Sequence, residues 1–168
     1  MSSTSGQAGR TGVIVTHPNR GKAVVQATRA TVVLLLLASA ALILIVTIGG
    51  WGTLEGDIPI LLSWAAVYVL MAYFAWRWSR GVLPMAAALA LLMFVFALVA
   101  APSWFARDKA GFAEAALPAG LLGVFTLALI PLQILLIAFA MRGFQQGWNI
   151  ELEQLDQHAD PDPLARPI

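Results

Sequence analysis

Residues 30–50 read ATVVLLLLASAALILIVTIGG, and no charged side chain interrupts this run. A helix needs about 20 predominantly apolar residues to cross about 30 Å of hydrocarbon, and this stretch has that length. Because backbone groups in lipid must bond within the chain, we expect a helix here rather than a strand. The apolar core is too long for a cleaved signal peptide, so we interpret the segment as a retained span.

Three further stretches have the same length and also lack charged residues. They are IPILLSWAAVYVLMAYFAW at 58–76, LPMAAALALLMFVFALVAA at 83–101 and LPAGLLGVFTLALIPLQILLIAFAM at 117–141. Pro59, Pro84 and Pro118 stand in their first turns, where the missing amide proton costs nothing and the fixed φ suits a helix. The sequence therefore predicts an all-α fold, an integral membrane bundle of four transmembrane helices within residues 30–141.

The overall composition agrees with a membrane protein. Of the 168 residues, 60% are hydrophobic and 11% are charged, and the mean hydropathy is +0.80. Soluble domains are roughly half apolar and about a quarter charged. The net charge of +1 gives no bulk attraction for nucleic acid, which we do not expect as a partner. The chain has no cysteine, which excludes disulfides, thiol catalysis and thiolate metal sites.

The basic residues predict the orientation, because cytoplasmic loops carry an excess of Lys and Arg. Residues 1–29 form an expected basic tail that contains no acidic residue. The connection between the second and third spans carries Arg77 and Arg80, whereas the connection between the first and second carries Glu55 and Asp57. We therefore expect a multi-pass protein of the plasma (inner) membrane with both termini in the cytoplasm.

Residues 142–156 follow the fourth span, and the pattern predicts a short amphipathic helix there. Its apolar residues recur at steps of four, four and three and would share one face: Phe144, Trp148, Leu152 and Leu155. Two interpretations remain open, since this face could lie among lipid headgroups or be recognised by another cytoplasmic protein. Residues 157–168 are acidic and rich in proline, so we expect a disordered tail.

The spans hold no residues that suggest catalysis. Ionisable side chains inside a membrane are costly and usually functional, and the four predicted spans contain none. Both histidines, His17 and His158, lie in the tails. No nucleophile–base pair, phosphate loop or metal-spaced cluster occurs. We therefore expect no catalytic residue, no cofactor and no metal, and we do not expect an enzyme.

Polar residues within the spans are the candidate intramembrane contacts: Ser63, Tyr73, Thr126 and Gln133. Small residues allow helices to approach closely in lipid, and polar side chains bond across them. Tyr73 and Gln133 are the most costly to leave unpaired. They are expected either to form a hydrogen bond between helices or to line a pocket for a small ligand or quinone.

Rows of small and polar residues at helical spacing predict the inward faces of the last three spans. The rows are Ser63, Ala66 and Tyr73; Ala86, Ala90, Ala97 and Ala101; and Ala119, Gly123, Thr126, Gln133 and Ala140. Short loops, spans without charged residues and the apolar stripe after the fourth span predict an accessory or scaffold subunit of a larger membrane complex. The expected partners are the lipid bilayer and another membrane protein or a second copy. The alternative is a small transporter or channel with a weakly polar path near Gln133 and Tyr73.

Overall fold

The computed structural model describes residues 13–16, 21–54, 56–107, 115–148 and 152–155. Its helices are α1 (Ala23–Gly49), α2 (Ile58–Trp76), α3 (Val82–Ala106) and α4 (Ala119–Gln145), and a short 3-10 turn, Trp51–Thr53, follows α1. Two four-residue strands, β1 (Val13–Thr16) and β2 (Leu152–Leu155), lie near the two ends of the chain. The four helices are long and apolar enough to cross a membrane, as the sequence predicts.

Two of the helices extend well beyond the uncharged runs. The first begins at Ala23 rather than at residue 30, and the third continues past Pro102 to Ala106. Helical hydrogen bonding does not have to stop where hydropathy falls, because the backbone continues its own pairing in the headgroup region. The predicted tail at 157–168 and most of the predicted tail at 1–29 lie outside the described residues.

The four helices form a ring with one loose side. Helix α1 packs against α2 and α4, and α3 packs extensively against α4, whereas α2 and α3 contact each other much less. The main apolar core contains residues from all four helices, and many of these residues are alanine. Close packing of small residues is the usual way in which helices associate in lipid.

Two of the three predicted inward rows, those on α3 and α4, are buried. The prediction for α2 is wrong, because its row is exposed. On α3, Ala86, Ala90, Ala97 and Ala101 are all buried, and on α4 the predicted row is buried except for a half-buried Ala119. On α2 the predicted row of Ser63, Ala66 and Tyr73 is exposed, and the buried face is formed by other residues: Ile58, Ala65, Tyr68, Met71, Ala72 and Ala75.

The prediction for α2 is wrong because a polar side chain can find a hydrogen-bond partner without pointing into the bundle. The Ser63 hydroxyl donates to the Pro59 carbonyl of its own helix at 2.7 Å. The Tyr73 hydroxyl accepts a hydrogen bond from Arg77 near the end of α2. Once its hydroxyl has such a partner, a side chain faces lipid at little cost, so polarity does not identify the buried face.

The segment after the fourth span differs from the predicted amphipathic helix over 142–156. Helix α4 ends at Gln145, and a turn follows in which Gly147 adopts a φ of 59°. Glycine enters this left-handed region without the clash that a Cβ causes, so the helix stops here. Farther along, β2 pairs antiparallel with β1, with Leu152 opposite Thr16 and Leu155 opposite Val13.

Candidate functional site

Gln133 lies in the interior of the bundle and joins three helices. It is 0% exposed. The Tyr68 hydroxyl of α2 donates to Gln133 Oε1 at 2.9 Å, and Gln133 Nε2 donates to the Ser39 hydroxyl of α1 at 2.9 Å. Ser39 in turn donates to the Leu35 carbonyl at 2.8 Å. Both ends of the carboxamide therefore have partners, which a buried polar group requires.

The structure does not bring Tyr73 to Gln133. Tyr73 is 51% exposed, and Arg77 Nη1 donates to its hydroxyl at 3.0 Å. Tyr68 occupies the inward position instead and is 0% exposed. A signal for Tyr68 was present in the sequence, because it shares a helical face with Ala65, Ala72 and Ala75. The row of alanines was a better guide to the buried face than the hydroxyl-bearing residues.

Ser63 and Thr126 do not join the Gln133 network. The Thr126 hydroxyl is buried and donates to the Leu122 carbonyl at 2.8 Å, one turn back on α4. Ser63 makes the same kind of bond on α2 but is exposed. Of the four predicted polar contacts, Gln133 alone links helices in the part of the chain that the structure describes.

A cleft opens where α2 and α3 separate, and we call it the α2–α3 cleft. Its volume is about 510 Å³. The lining residues come from all four helices and the loop before α2: Ile43, Val46, Leu54, Asp57, Ile60, Leu61, Trp64, Met93, Phe96, Ala97, Val99, Ala100, Ser103, Trp104, Arg107, Thr126 and Leu129. The Trp64 and Phe96 rings, which both belong to this lining, meet edge to face with centroids 6.0 Å apart. The cleft is thus a mainly apolar wedge with a few polar groups.

Among the residues that the structure describes, Asp57 and Arg107 are the charged ones that line the α2–α3 cleft, and they lie at one end of it. Asp57 immediately precedes α2, and its side chain makes no capping hydrogen bond. Arg107 immediately follows α3, with its guanidinium carbon 5.9 Å from the centroid of the Trp104 ring. Because a short connection makes α2 and α3 antiparallel, the start of one and the end of the other share an end of the bundle. Each charge also suits the dipole of its own helix.

The opposite end of the bundle holds an arginine between two tryptophans. The guanidinium carbon of Arg29 lies 4.7 Å from the Trp76 ring centroid and 4.1 Å from the Trp78 ring centroid. Its Nη1 also donates to the Trp76 carbonyl at 3.0 Å. A cation over aromatic faces is stabilised further when it is partly desolvated. Arg29 therefore ties the start of α1 to the connection between α2 and α3.

Trp148 turns back into this same end. It is 0% exposed and packs edge to face on Trp78, with ring centroids 5.7 Å apart. Its Nε1 donates to Gln146 Oε1 at 3.3 Å, and Gln146 Nε2 donates to the Thr28 hydroxyl at 3.0 Å. Gly143 makes room for the indole, because a Cβ there would lie 2.9 Å from Trp148 Cζ2. The turn after α4 is thereby held against α1 and Trp78.

The predicted apolar stripe after the fourth span does not form one face. Trp148 is buried, whereas Phe144 is 36% exposed, and Leu152 and Leu155 lie in β2. Arg80 covers Phe144, because its guanidinium carbon lies 4.4 Å from the ring centroid and its Nε donates to the Phe144 carbonyl at 3.0 Å. Sequence reasoning treated the arginines only as markers of orientation and missed these contacts.

Comparison of the chain with protein-family models, with curated proteins and with solved structures gave no match. Over the residues that the structure describes, no three His, Asp or Glu side chains are placed to hold a metal ion. Two features of the described residues bear on function, the closed Gln133 network and the open α2–α3 cleft.

Proposed function

We propose that the chain is a small, non-enzymatic integral membrane protein that serves as an accessory or scaffold subunit of a larger membrane assembly. The observation that carries this proposal is the hydrogen-bonded bridge from Tyr68 through Gln133 to Ser39. This bridge pairs the polar side chains at the centre of the bundle with one another. The outer surface of the helices, the α2–α3 cleft and the two ends of the bundle remain available for interaction.

The packing around the bridge supports a structural role for the interior. Leu36, Ala90 and Leu136 are fully buried in the same core. A bundle built like this holds its helices in a fixed relation and presents their outer faces to lipid or to a neighbouring membrane protein.

The proposed orientation places both termini in the cytoplasm of a cell with a plasma (inner) membrane. Arg29, Arg77 and Arg80 lie at the end of the bundle where the chain enters α1 and leaves α4, whereas Arg107 lies with Asp57 at the other end. A concentration of arginine on one side supports a cytoplasmic placement of that side. The pairing of β1 with β2 joins the two tails on the same side.

The alternative of a small transporter or channel has less support. Its proposed path runs near Gln133 and Tyr73, but the Gln133 carboxamide has partners at both ends and Tyr73 faces outward. A path also needs space, and neither Gln133 nor Tyr68 lines the α2–α3 cleft. A flux assay in liposomes that compares the wild type with Gln133→Leu tests this alternative directly.

Purification of the tagged full chain from its native membrane in a mild detergent tests the accessory-subunit proposal. We expect a membrane partner in fixed stoichiometry, present in repeated preparations and in more than one detergent. A lone monomer under all of these conditions would contradict the proposal.

A further inference from the structure

We propose that the α2–α3 cleft binds one chain of a zwitterionic phospholipid whose headgroup carries a primary ammonium, with the phosphate at Arg107 and the ammonium at Asp57. Phosphatidylethanolamine has this chemistry. The proposal goes beyond the accessory-subunit function and does not depend on it, because a specific lipid site is compatible with any partner.

The size of the cleft suits a single alkyl chain, because its volume is about 510 Å³ and its walls are mainly apolar. The volume lies within the range that holds a single small ligand.

The cleft is also elongated and has a polar end. Its lining runs along α3 from Met93 to Arg107, a length of about 21 Å at a helical rise of about 1.5 Å per residue. The Thr126 hydroxyl on the inner wall already donates to a carbonyl of its own helix. An alkyl chain beside it would therefore leave no hydrogen-bond donor unpaired at this position. Ser103 and the two charged residues stand at the outer end. An apolar chain with a polar head matches this distribution.

The charges select the headgroup. Arg107 and Asp57 line the cleft at the same end and are not paired with each other. A guanidinium presents a fork of N–H donors that fits phosphate oxygens, and a carboxylate accepts from an ammonium. An anionic headgroup would be attracted by Arg107 but repelled by Asp57. A choline headgroup has no N–H to donate to Asp57, so a primary ammonium with a phosphate satisfies both residues best.

Native mass spectrometry of the full chain tests the proposal. The protein in mild detergent receives phosphatidylethanolamine, phosphatidylcholine and phosphatidylglycerol with identical chains, first separately and then in an equimolar mixture. We expect one retained phosphatidylethanolamine molecule, favoured over each of the others by roughly threefold, since both charged residues are exposed and partly screened. Equal retention of all three lipids would overturn the headgroup assignment.

Variants separate the cleft from the rest of the surface. Ala100→Phe places a ring in the cleft and should abolish the retained adduct, whereas Ala88→Phe, on an exposed position of α3 outside the lining, should leave it. A lipid adduct retained at the wild-type level by Ala100→Phe would overturn the site. Loss of a second copy or of a protein partner, with the lipid adduct unchanged, would show that a helix occupies the cleft and would also overturn it.

Substitutions at the exposed rim of the cleft keep the proposal testable if Ala100→Phe does not fold. Asp57→Asn should remove the preference for phosphatidylethanolamine over phosphatidylglycerol, and Arg107→Gln should lower retention of all three lipids. Circular dichroism of each variant checks that the helices remain intact. If neither rim change alters lipid selectivity, the charged residues do not bind the headgroup and the proposal fails.

Discussion

The Tyr68 hydroxyl and the Gln133 side-chain oxygen lie 2.9 Å apart and join α2 to α4 across the centre of the bundle. These helices are not neighbours in the ring, because α2 packs mainly on α1, and α4 packs on α3 and α1. The second half of the bridge, from Gln133 to Ser39, returns to α1. One carboxamide thus connects two diagonally placed helices and the helix between them.

Removing this bridge should weaken the bundle by a modest, measurable amount. Hydrogen bonds between membrane helices are worth about 0.6 kcal/mol on average and up to about 1.7 kcal/mol. Tyr68→Phe removes one bond and Gln133→Leu removes two, so we expect losses of roughly 1 and 2 kcal/mol in the free energy of unfolding. Unfolding in mixed detergent micelles, followed by circular dichroism, measures both.

Tyr73→Phe is the matched control for Tyr68→Phe, because Tyr73 lies on the same helix but is exposed. Its free energy of unfolding should stay within about 0.5 kcal/mol of the wild type. The double variant Tyr68→Phe with Gln133→Leu should lose less than the sum of the two single changes, since both act on one bond. A Tyr73→Phe loss equal to that of Tyr68→Phe would contradict the assignment.

A methyl group at Gly143 should displace Trp148. The added Cβ would lie 2.9 Å from Trp148 Cζ2 and 3.2 Å from a methyl group of Leu83, and overpacking of this kind typically costs about 1–3 kcal/mol. We expect Gly143→Ala to lower the thermal midpoint and to shift tryptophan emission to longer wavelength as the indole becomes exposed. Gly81→Ala, with nothing within 4 Å, should change neither quantity.

The sequence predicts the spans well because the bilayer fixes both the length and the composition of a crossing helix. It predicts the α2 face poorly because Ser63 and Tyr73 find partners on their own helix or at its end. Helical periodicity describes one helix at a time. It therefore gives no sign that Arg29 lies between Trp76 and Trp78, residues that are far from it along the chain.

The segment after α4 illustrates the same limit. Phe144 and Trp148 are spaced as neighbours on a continuous helix, but Gly147 ends the helical path before Trp148. A glycine in a helical pattern is compatible with either continuation or termination. Here the helix terminates, and the Trp148 indole packs beside Gly143 and on the ring of Trp78. Tertiary packing therefore decides between continuation and termination.

Arg29→Lys should destabilise the end of the bundle while it preserves the charge. A lysine keeps the positive charge but loses the planar group that lies over Trp76 and Trp78. We expect a loss of about 1 kcal/mol in the free energy of unfolding. Arg142→Lys, at an exposed position in the last turn of α4, is the control and should have little effect. Equal effects at the two positions would rule out a specific role for the tryptophan pair.

The proposed orientation can be read from single cysteines, because the chain has none of its own. Gly21, Gly56 and Gly81 are exposed, and nothing lies within 4 Å of a Cβ at any of them. In intact cells, a membrane-impermeant maleimide should label Gly56→Cys. It should label Gly21→Cys and Gly81→Cys only after the membrane is opened. Labelling of Gly81→Cys in intact cells would reverse the proposed orientation.

The pairing of the two tails gives a prediction about register. Val15 lies opposite Glu153 and Ile14 lies opposite Gln154 in the antiparallel ribbon. Directly opposed residues have Cβ atoms about 4.5–5.5 Å apart, and diagonal ones are about 7–8 Å apart. Mild oxidation should therefore cross-link a cysteine pair introduced at Val15 and Glu153, or at Ile14 and Gln154, more efficiently than a pair at Val15 and Leu155.

An isolated two-stranded ribbon is marginally stable in water, so the efficiency of cross-linking also measures how firmly the ends of α1 and α4 hold the strands together. Gly143→Ala in the same cysteine background should reduce the yield, because displacement of Trp148 loosens the turn that leads from α4 toward β2. Gly81→Ala should not. Equal yields from the in-register and diagonal pairs would show that the tails approach each other without the fixed register of a ribbon.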